Sequence, residues 1–242
     1  MTPARHAMRT GLLALMVVGA VGPAPAQPAE RMFVAPAQQP VNVGDAKLAA
    51  NAYHRSGAYE REIAAIAAQA ADWVARRAPQ VSRPAVVFDI DETLLSNWQV
   101  IRRDDFGRPI AGPCPSPPDT ACGWAAWDMI GADTPIAPTR DLFEKARGLG
   151  AALFLISGRP ESQRAATERN LAAAGLSGYA RLDLVADGAQ YASLVDFKAP
   201  RRAGIEAAGY TIIANIGDQP SDLFGGHAER AFQLPNPFYR IP

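Results

Sequence analysis

At 242 residues the chain can bury one sizeable core and still carry an insertion, and 48% apolar with 20% charged residues excludes a disordered or fibrous protein. Formal charge balances, 24 basic against 24 acidic residues, which argues against a nucleic-acid polymer as partner and against a polybasic membrane patch while leaving room for a local basic pocket.

Residues 1–26 read as a secretory signal peptide, because Arg5 and Arg9 precede the apolar run Gly11 to Gly22 and Ala24-Pro25-Ala26 then offers a cleavage site before Gln27. The run is too short for a comfortable membrane span and no later stretch approaches it, so no membrane association is expected after cleavage. No cysteine lies near the cut to carry a lipid anchor. Loss of the two arginines leaves the mature chain slightly acidic and, on this reading, periplasmic or secreted. In such a compartment Cys114 and Cys122 read as a candidate disulfide across the loop that holds Pro115, Pro117, Pro118 and Asp119. Closing so short a loop stabilises by roughly 2 to 3 kcal/mol in the chain-entropy picture; two free thiols are the alternative.

Residues 27–40, rich in Ala, Pro and Gln without an apolar period, form an expected mobile leader, with order beginning near Val41. From Asp45, a possible helix cap, to Arg77, the positions Ile63, Ile66, Ala67, Ala70, Trp73 and Val74 recur at helical spacing, which predicts one or two amphipathic helices packed on a sheet. His54, between Tyr53 and Tyr59, reads as structural. The run Ala85 to Phe88 predicts a strand buried on both faces, and it ends in Asp89, Asp91 and Glu92. Residues 98–138 lack a period of either kind, are rich in Pro and Gly, and hold three of the four tryptophans: Trp98, Trp124 and Trp127. A compact, loop-rich cap follows, whose aromatics form either its own small core or a stacking wall for an apolar part of a substrate.

Beyond the insert the alternation is regular: a helix at 139–148, a strand at 151–156, a helix at 161–174 stopped by Gly175, and a strand at 181–185. A helix at 199–208, a strand at 210–216 and a short strand at 231–234 complete it. Repeated βαβ units predict an α/β, Rossmann-like three-layer sandwich with a mainly parallel sheet over 41–242 and a small cap insert after the first strand.

In such a sheet ligands bind beyond the carboxyl ends of the strands, and those ends carry polar groups here. The first gives Asp89 and Asp91, the second ends in Ser157-Gly158-Arg159, and the fourth ends in Gly217-Asp218 with Asp222 a turn later. Asp89 and Asp91 alone also fit a solvated acidic loop. A calcium loop of the EF-hand type fails, because Thr93, Leu94 and Val100 stand where it needs an oxygen ligand, Gly and Glu. Two carboxylates about 4 Å apart repel by roughly 4 kcal/mol at an effective dielectric of 20, so Asp89, Asp91 and Asp218 cannot cluster ionised without cations. An all-oxygen site with room for phosphate suits Mg²⁺ rather than Zn²⁺. Lys198 would add a second positive charge, and it is one of only three lysines, with Lys47 and Lys145, among the 24 basic residues. Ser157 and the Gly158 amide either cradle an anion at a strand-to-helix turn or form a purely structural turn, and Arg159 either forks onto phosphate oxygens or pairs with Glu161.

Phe88-Asp89-Ile90-Asp91-Glu92-Thr93, then Ser157, Lys198 and Gly217-Asp218 with Asp222, resemble the four ordered motifs of the haloacid dehalogenase superfamily. The finer likeness is to the secreted acid phosphatases of subfamily IIIB, related to plant vegetative storage proteins and near the class B bacterial enzymes. Tyr53-His54-Arg55-Ser56-Gly57, Asn215-Ile216-Gly217-Asp218-Gln219 and Leu234-Pro235-Asn236-Pro237 are similar too, while Pro220 stands where plant members often carry a large aromatic. The resemblance implies a Mg²⁺-dependent acid phosphatase that hydrolyses small phosphomonoesters, with Asp89 as nucleophile and Asp91 as acid and then base. It also implies Mg²⁺ held by Asp89, the Asp91 carbonyl and Asp218, with Asp222 orienting the ion from behind, and phosphate bound by Ser157, Gly158, Arg159 and Lys198. A narrow-specificity nucleotidase and a non-catalytic storage or phosphate-binding relative are the alternatives. Asp91 weighs against a dehalogenase, and neither His54 nor His227 sits in an Arg-His-Gly motif of the kind a histidine phosphatase needs.

Overall fold

The computed structural model describes residues 39–110 and 123–241; the expected signal, most of the leader, and both Cys114 and Cys122 lie outside the described residues. Helix α1 (Val43–Arg55) is capped by Asn42, whose side-chain oxygen accepts from the Gly44 amide at 2.8 Å, so the cap expected at Asp45 lies three residues earlier. Gly57, at φ 71°, makes the left-handed turn into α2 (Ala58–Arg77), a conformation that costs a side-chain-bearing residue. Of the apolar positions read from the sequence, α2 buries Ile63, Ala67, Ala70 and Val74, while Ile66 and Trp73 are half-buried.

Five strands form one sheet in the order β5-β4-β1-β6-β7. They are β1 (Pro84–Phe88), β4 (Ala152–Pro160), β5 (Arg181–Val185), β6 (Thr211–Gly217) and β7 (Ala231–Gln233), every neighbouring pair parallel. Strand β1 lies at the centre and alternates between two cores. Val86 and Phe88 pack with Ile63 and Val74 of α2 and with Leu142, Phe143 and Ala146 of α5 (Ala137–Gly148). Ala85 and Val87 pack with Phe197 and Ile205 of α7 (Val195–Ala207) on the other face. This gives the three layers, and α6 (Arg164–Ala173) adds Leu171 to the first core.

Among the described residues the insert is more regular than expected from its sequence. A two-stranded antiparallel ribbon, β2 (Leu95–Ser96) with β3 (Thr134–Pro135), closes its base, and helices α3 (Trp98–Arg103) and α4 (Gly123–Ile130) rise from it. None of these elements is long enough to print a period on the sequence. Helix α7 also begins four residues before the expected start, with Pro200 inside it. No helix of the described residues is long and apolar enough to cross a membrane.

Candidate active site

Parallel pairing sets Phe88 opposite both Leu155 and Ile216, so the carboxyl ends of β1, β4 and β6 come level. The Asp89 amide donates to the Ile216 carbonyl at 2.9 Å and keeps the chain in register one residue beyond the strand. The loop then folds tightly on itself. Glu92 has φ 51°, and the amides of Thr93, Leu94 and Leu95 all donate to the Ile90 carbonyl.

Lys198, in the first turn of α7, reaches up to this edge. Its ammonium donates to Asp89 and to Asp222 at 2.6 Å each, and all three side chains are buried. Asp222 can approach because residue 217 is glycine, where a Cβ would lie 2.4 Å from the Asp222 Cβ. The Asp222 main-chain carbonyl is held by Arg202 at 2.6 Å and Asn215 at 2.9 Å, which fixes α8 (Pro220–Leu223) at the end of β6. Asp218 completes the group, accepting from Gln219 at 2.6 Å, Asn236 at 2.7 Å and Thr93 at 3.3 Å.

Oxygens of Asp89, Asp218 and Asp222 lie within 4.8 Å of one another. Burial pushes the Asp89 carboxyl well above the carboxylate range, and Asp222 adds to the rise against the pull of Lys198. Asp218 is pushed up to about 8 by burial and then by Asp222. One lysine against three carboxylates leaves negative charge over, and no His or Cys belongs to the cluster. That donor set fits a hard divalent cation bound through oxygen. The Asp222 carboxylate stands in the cluster, one oxygen on Lys198 and the other accepting from the Gln219 amide at 2.8 Å, whereas the Asp91 carboxylate is turned toward Arg159.

Asp91 faces Arg159, which is 4% exposed. The guanidinium donates to Asp91 at 2.6 Å and to Asp133 at 2.9 Å, with Asp128 at 3.6 Å. Glu161, the alternative partner in the sequence reading, is bound by Arg164 instead. Burial works to raise the Asp91 carboxyl, but Arg159 and then Asn97 outweigh it and hold it below its ordinary value. Asp128, with less help from Arg159, is pushed by burial up to about 7. Ser157 is fully buried; its hydroxyl accepts from the Arg159 amide at 3.2 Å and lies 3.5 Å from Asp91.

Asp89, Asp91, Gly158, Arg159, Lys198, Asp218 and Asp222 all line one cleft of about 320 Å³. Its mouth is aromatic and cationic. Trp124 of α4 meets Tyr239 edge to face with centroids 5.0 Å apart, and the Arg108 guanidinium lies 5.0 Å above the Trp124 ring. The two readings of the insert's aromatics therefore divide by residue. Trp124 is a cleft wall, while Trp98 stacks flat on His54 at 3.7 Å and Trp127 donates to the buried Asp133. His54 is part of that aromatic stack, away from the cleft lining.

Several groups at the site carried no role in the sequence reading: Glu92, Asn97, Asp128, Asp133, Asn236 and Tyr239. Tyr239 and Asn236 belong to the tail after β7, which folds back over β6 where no period would place it. Glu92 sits inside the acidic motif and Asn97 just past it, but only the folded loop shows that the Asn97 amide turns to both Asp91 and Glu92.

Fold and site together define a Rossmann-like α/β protein with a carboxylate and lysine cluster at the carboxyl edge of its sheet. The family described as HAD superfamily, subfamily IIIB (Acid phosphatase), matches residues 29–242, and the chain belongs to it. The chain is 31% identical over 160 residues to acid phosphatase 1 of Solanum lycopersicum, covering 66% of this chain and 60% of that relative. To vegetative storage protein 1 of Arabidopsis thaliana it is 33% identical over 157 residues, 64% of this chain and 55% of the relative. It thus spans less than two thirds of the length of either. Among solved structures, the class C acid phosphatase from Bacillus anthracis shares the fold, with TM-score 0.57 at 20% identity over 82% of this chain and 85% of that one.

Proposed function

We propose that the protein is a divalent-metal-dependent acid phosphatase, most simply with Mg²⁺, that hydrolyses small phosphomonoesters in the periplasm or outside the cell through an aspartyl-phosphate on Asp89. The observation that carries this reading is the convergence of Asp89, Asp218 and Asp222 within 4.8 Å around Lys198, on the floor of a cleft that also holds Asp91 and Arg159. The family and the acid phosphatase relative support it, and the secretory reading of residues 1–26 supports the location.

Asp89 and Asp218, with Asp222, would hold the cation, which when bound neutralises the carboxylates and draws negative charge from phosphoryl oxygens. In the first step an Asp89 carboxylate oxygen bonds to phosphorus while the bond from phosphorus to the ester oxygen breaks, and the Asp91 carboxyl gives its proton to that departing oxygen. In the second, water attacks phosphorus, its proton passes to Asp91, the bond to Asp89 breaks and phosphate leaves. Lys198 and Arg159 spread stabilisation over the equatorial oxygens. Arg159 holds the Asp91 carboxyl below its ordinary value, the direction that favours the ionised form the second step needs. A phosphoryl dianion that draws Arg159 toward itself raises Asp91 and supplies the protonated state for the first.

Asp89→Asn is expected to lower hydrolysis of p-nitrophenyl phosphate by at least about a thousandfold with the fold intact by circular dichroism. Retained activity refutes the nucleophile. The names of the storage-protein relatives favour a second reading, binding without turnover, and a wild type that binds phosphate yet hydrolyses no monoester would establish it.

A further inference from the structure

Asn97 is the N-cap residue of α3, a place where asparagine ordinarily accepts a hydrogen bond from the helix amides. Here it makes no such bond. Its side chain is fully buried and its Nδ2 donates to Asp91 at 2.9 Å and to Glu92 at 3.3 Å. Its Oδ1 is buried with no partner among the described residues, so the two carboxylates are what orient the amide. Glu92 is braced in turn. It accepts from the Asn97 main-chain amide at 2.6 Å and from the Tyr239 hydroxyl at 2.7 Å. A helix cap has been given up, and a left-handed φ accepted at Glu92, to aim one amide at Asp91.

We propose that Asn97, braced by Glu92 and Tyr239, is a positioning residue that holds the Asp91 carboxyl toward the departing ester oxygen. The inference rests on the phosphatase reading above and deepens it. Three neighbours place Asp91: Arg159 through three contacts of 2.6 to 3.2 Å, Asn97 at 2.9 Å, and the Ser157 hydroxyl at a weak 3.5 Å. When a phosphoryl group engages Arg159, Asn97 is the shorter of the two contacts that remain. Tyr239 also lines the cleft and packs on Trp124, so the group that braces Glu92 belongs to the cleft wall.

The test uses two esters that differ in their need for a proton. An alkyl phosphate such as glycerol 2-phosphate expels a poor leaving group and depends on the acid, whereas p-nitrophenyl phosphate expels a stable anion and scarcely does. Asn97→Ala should lower kcat/KM for glycerol 2-phosphate roughly tenfold or more beyond its effect on p-nitrophenyl phosphate. Tyr239→Phe, which keeps the aromatic wall and removes only the hydroxyl, should act in the same direction and more weakly. Equal losses on both esters, or none, overturn the inference, since a merely structural role does not distinguish leaving groups. If Asn97→Ala does not fold, the Tyr239→Phe ratio decides in the same way. A wild type that hydrolyses neither ester removes the phosphatase reading and this inference with it, whereas a wild type active on both with unchanged ratios in the variants removes this inference alone.

Discussion

Asp89 and Asp222 share one ammonium, that of Lys198, in a place that water scarcely reaches. Burial lowers the lysine, yet the two carboxylates outweigh it and hold its proton above the ordinary value. Replacing it by methionine keeps the volume and removes the charge, which leaves two buried carboxylates facing each other. The expected cost is about 3 to 5 kcal/mol in urea unfolding of the metal-free protein near neutral pH, the range for breaking a buried ion pair from one side. A loss below about 1 kcal/mol would mean that the carboxylates find relief without the lysine. Asp89, Asp91, Lys198, Asp218 and Asp222 were readable in the sequence because each follows or opens a periodic element. The supporting residues were not: Asn97, Asp133 and Tyr239 act through contacts 6, 26 and 147 residues apart in the chain.

Strand β6 shows how an irregularity in one element serves the site. Opposite β1 the register steps from Ala85 with Ile212 to Val86 with Ala214, so Ile213 is an extra residue. Its carbonyl accepts from the Trp73 indole of α2 at 2.6 Å. Trp73→Phe removes that donor and is expected to cost about 1 kcal/mol by urea unfolding, with no change if the bond carries nothing. At the other end of β6, Gly217→Ala would set a methyl 2.6 Å from an Asp222 carboxylate oxygen and push that side chain out of the cluster. The expected outcome is that Mg²⁺ raises the Tm of this variant much less than it raises that of the wild type, and equal Mg²⁺ shifts would separate Asp222 from the metal. The long strands and helices were legible from period and burial. The bulge, α8 and the β2 and β3 ribbon were not, being set by pairing across the chain rather than by local pattern. Helix α7 runs four residues further back than its sequence suggests and carries Pro200 inside it, held by the buried Phe197, Arg202 and Ile205.

Across the whole molecule three acidic groups of the site are raised together, while Asp91, beside Arg159, is held below its ordinary value. Burial pushes Glu92 and Asp218 up to about 8 and Asp128 up to about 7, above the values near 4 of an unfolded chain. The folded protein then binds more protons than the unfolded one between about pH 4 and 8, so its stability is fullest at the acid end and falls as pH rises through that window. Thermal melts of the metal-free protein should show Tm declining from pH 5 to 8, with Mg²⁺ flattening the decline, and a rising Tm would reverse the sign of the argument. The sheet, its parallel order and the cluster at its edge were all present in the sequence as strand ends, because a doubly wound topology fixes where those ends meet. Its cap was legible only as an interruption. The most direct measurement is a rapid acid quench of the wild type with a phosphorus-labelled monoester, followed by peptide mapping. The account expects label on the peptide that contains Asp89 and none in Asp89→Asn; an active protein whose label lies on another residue would contradict it.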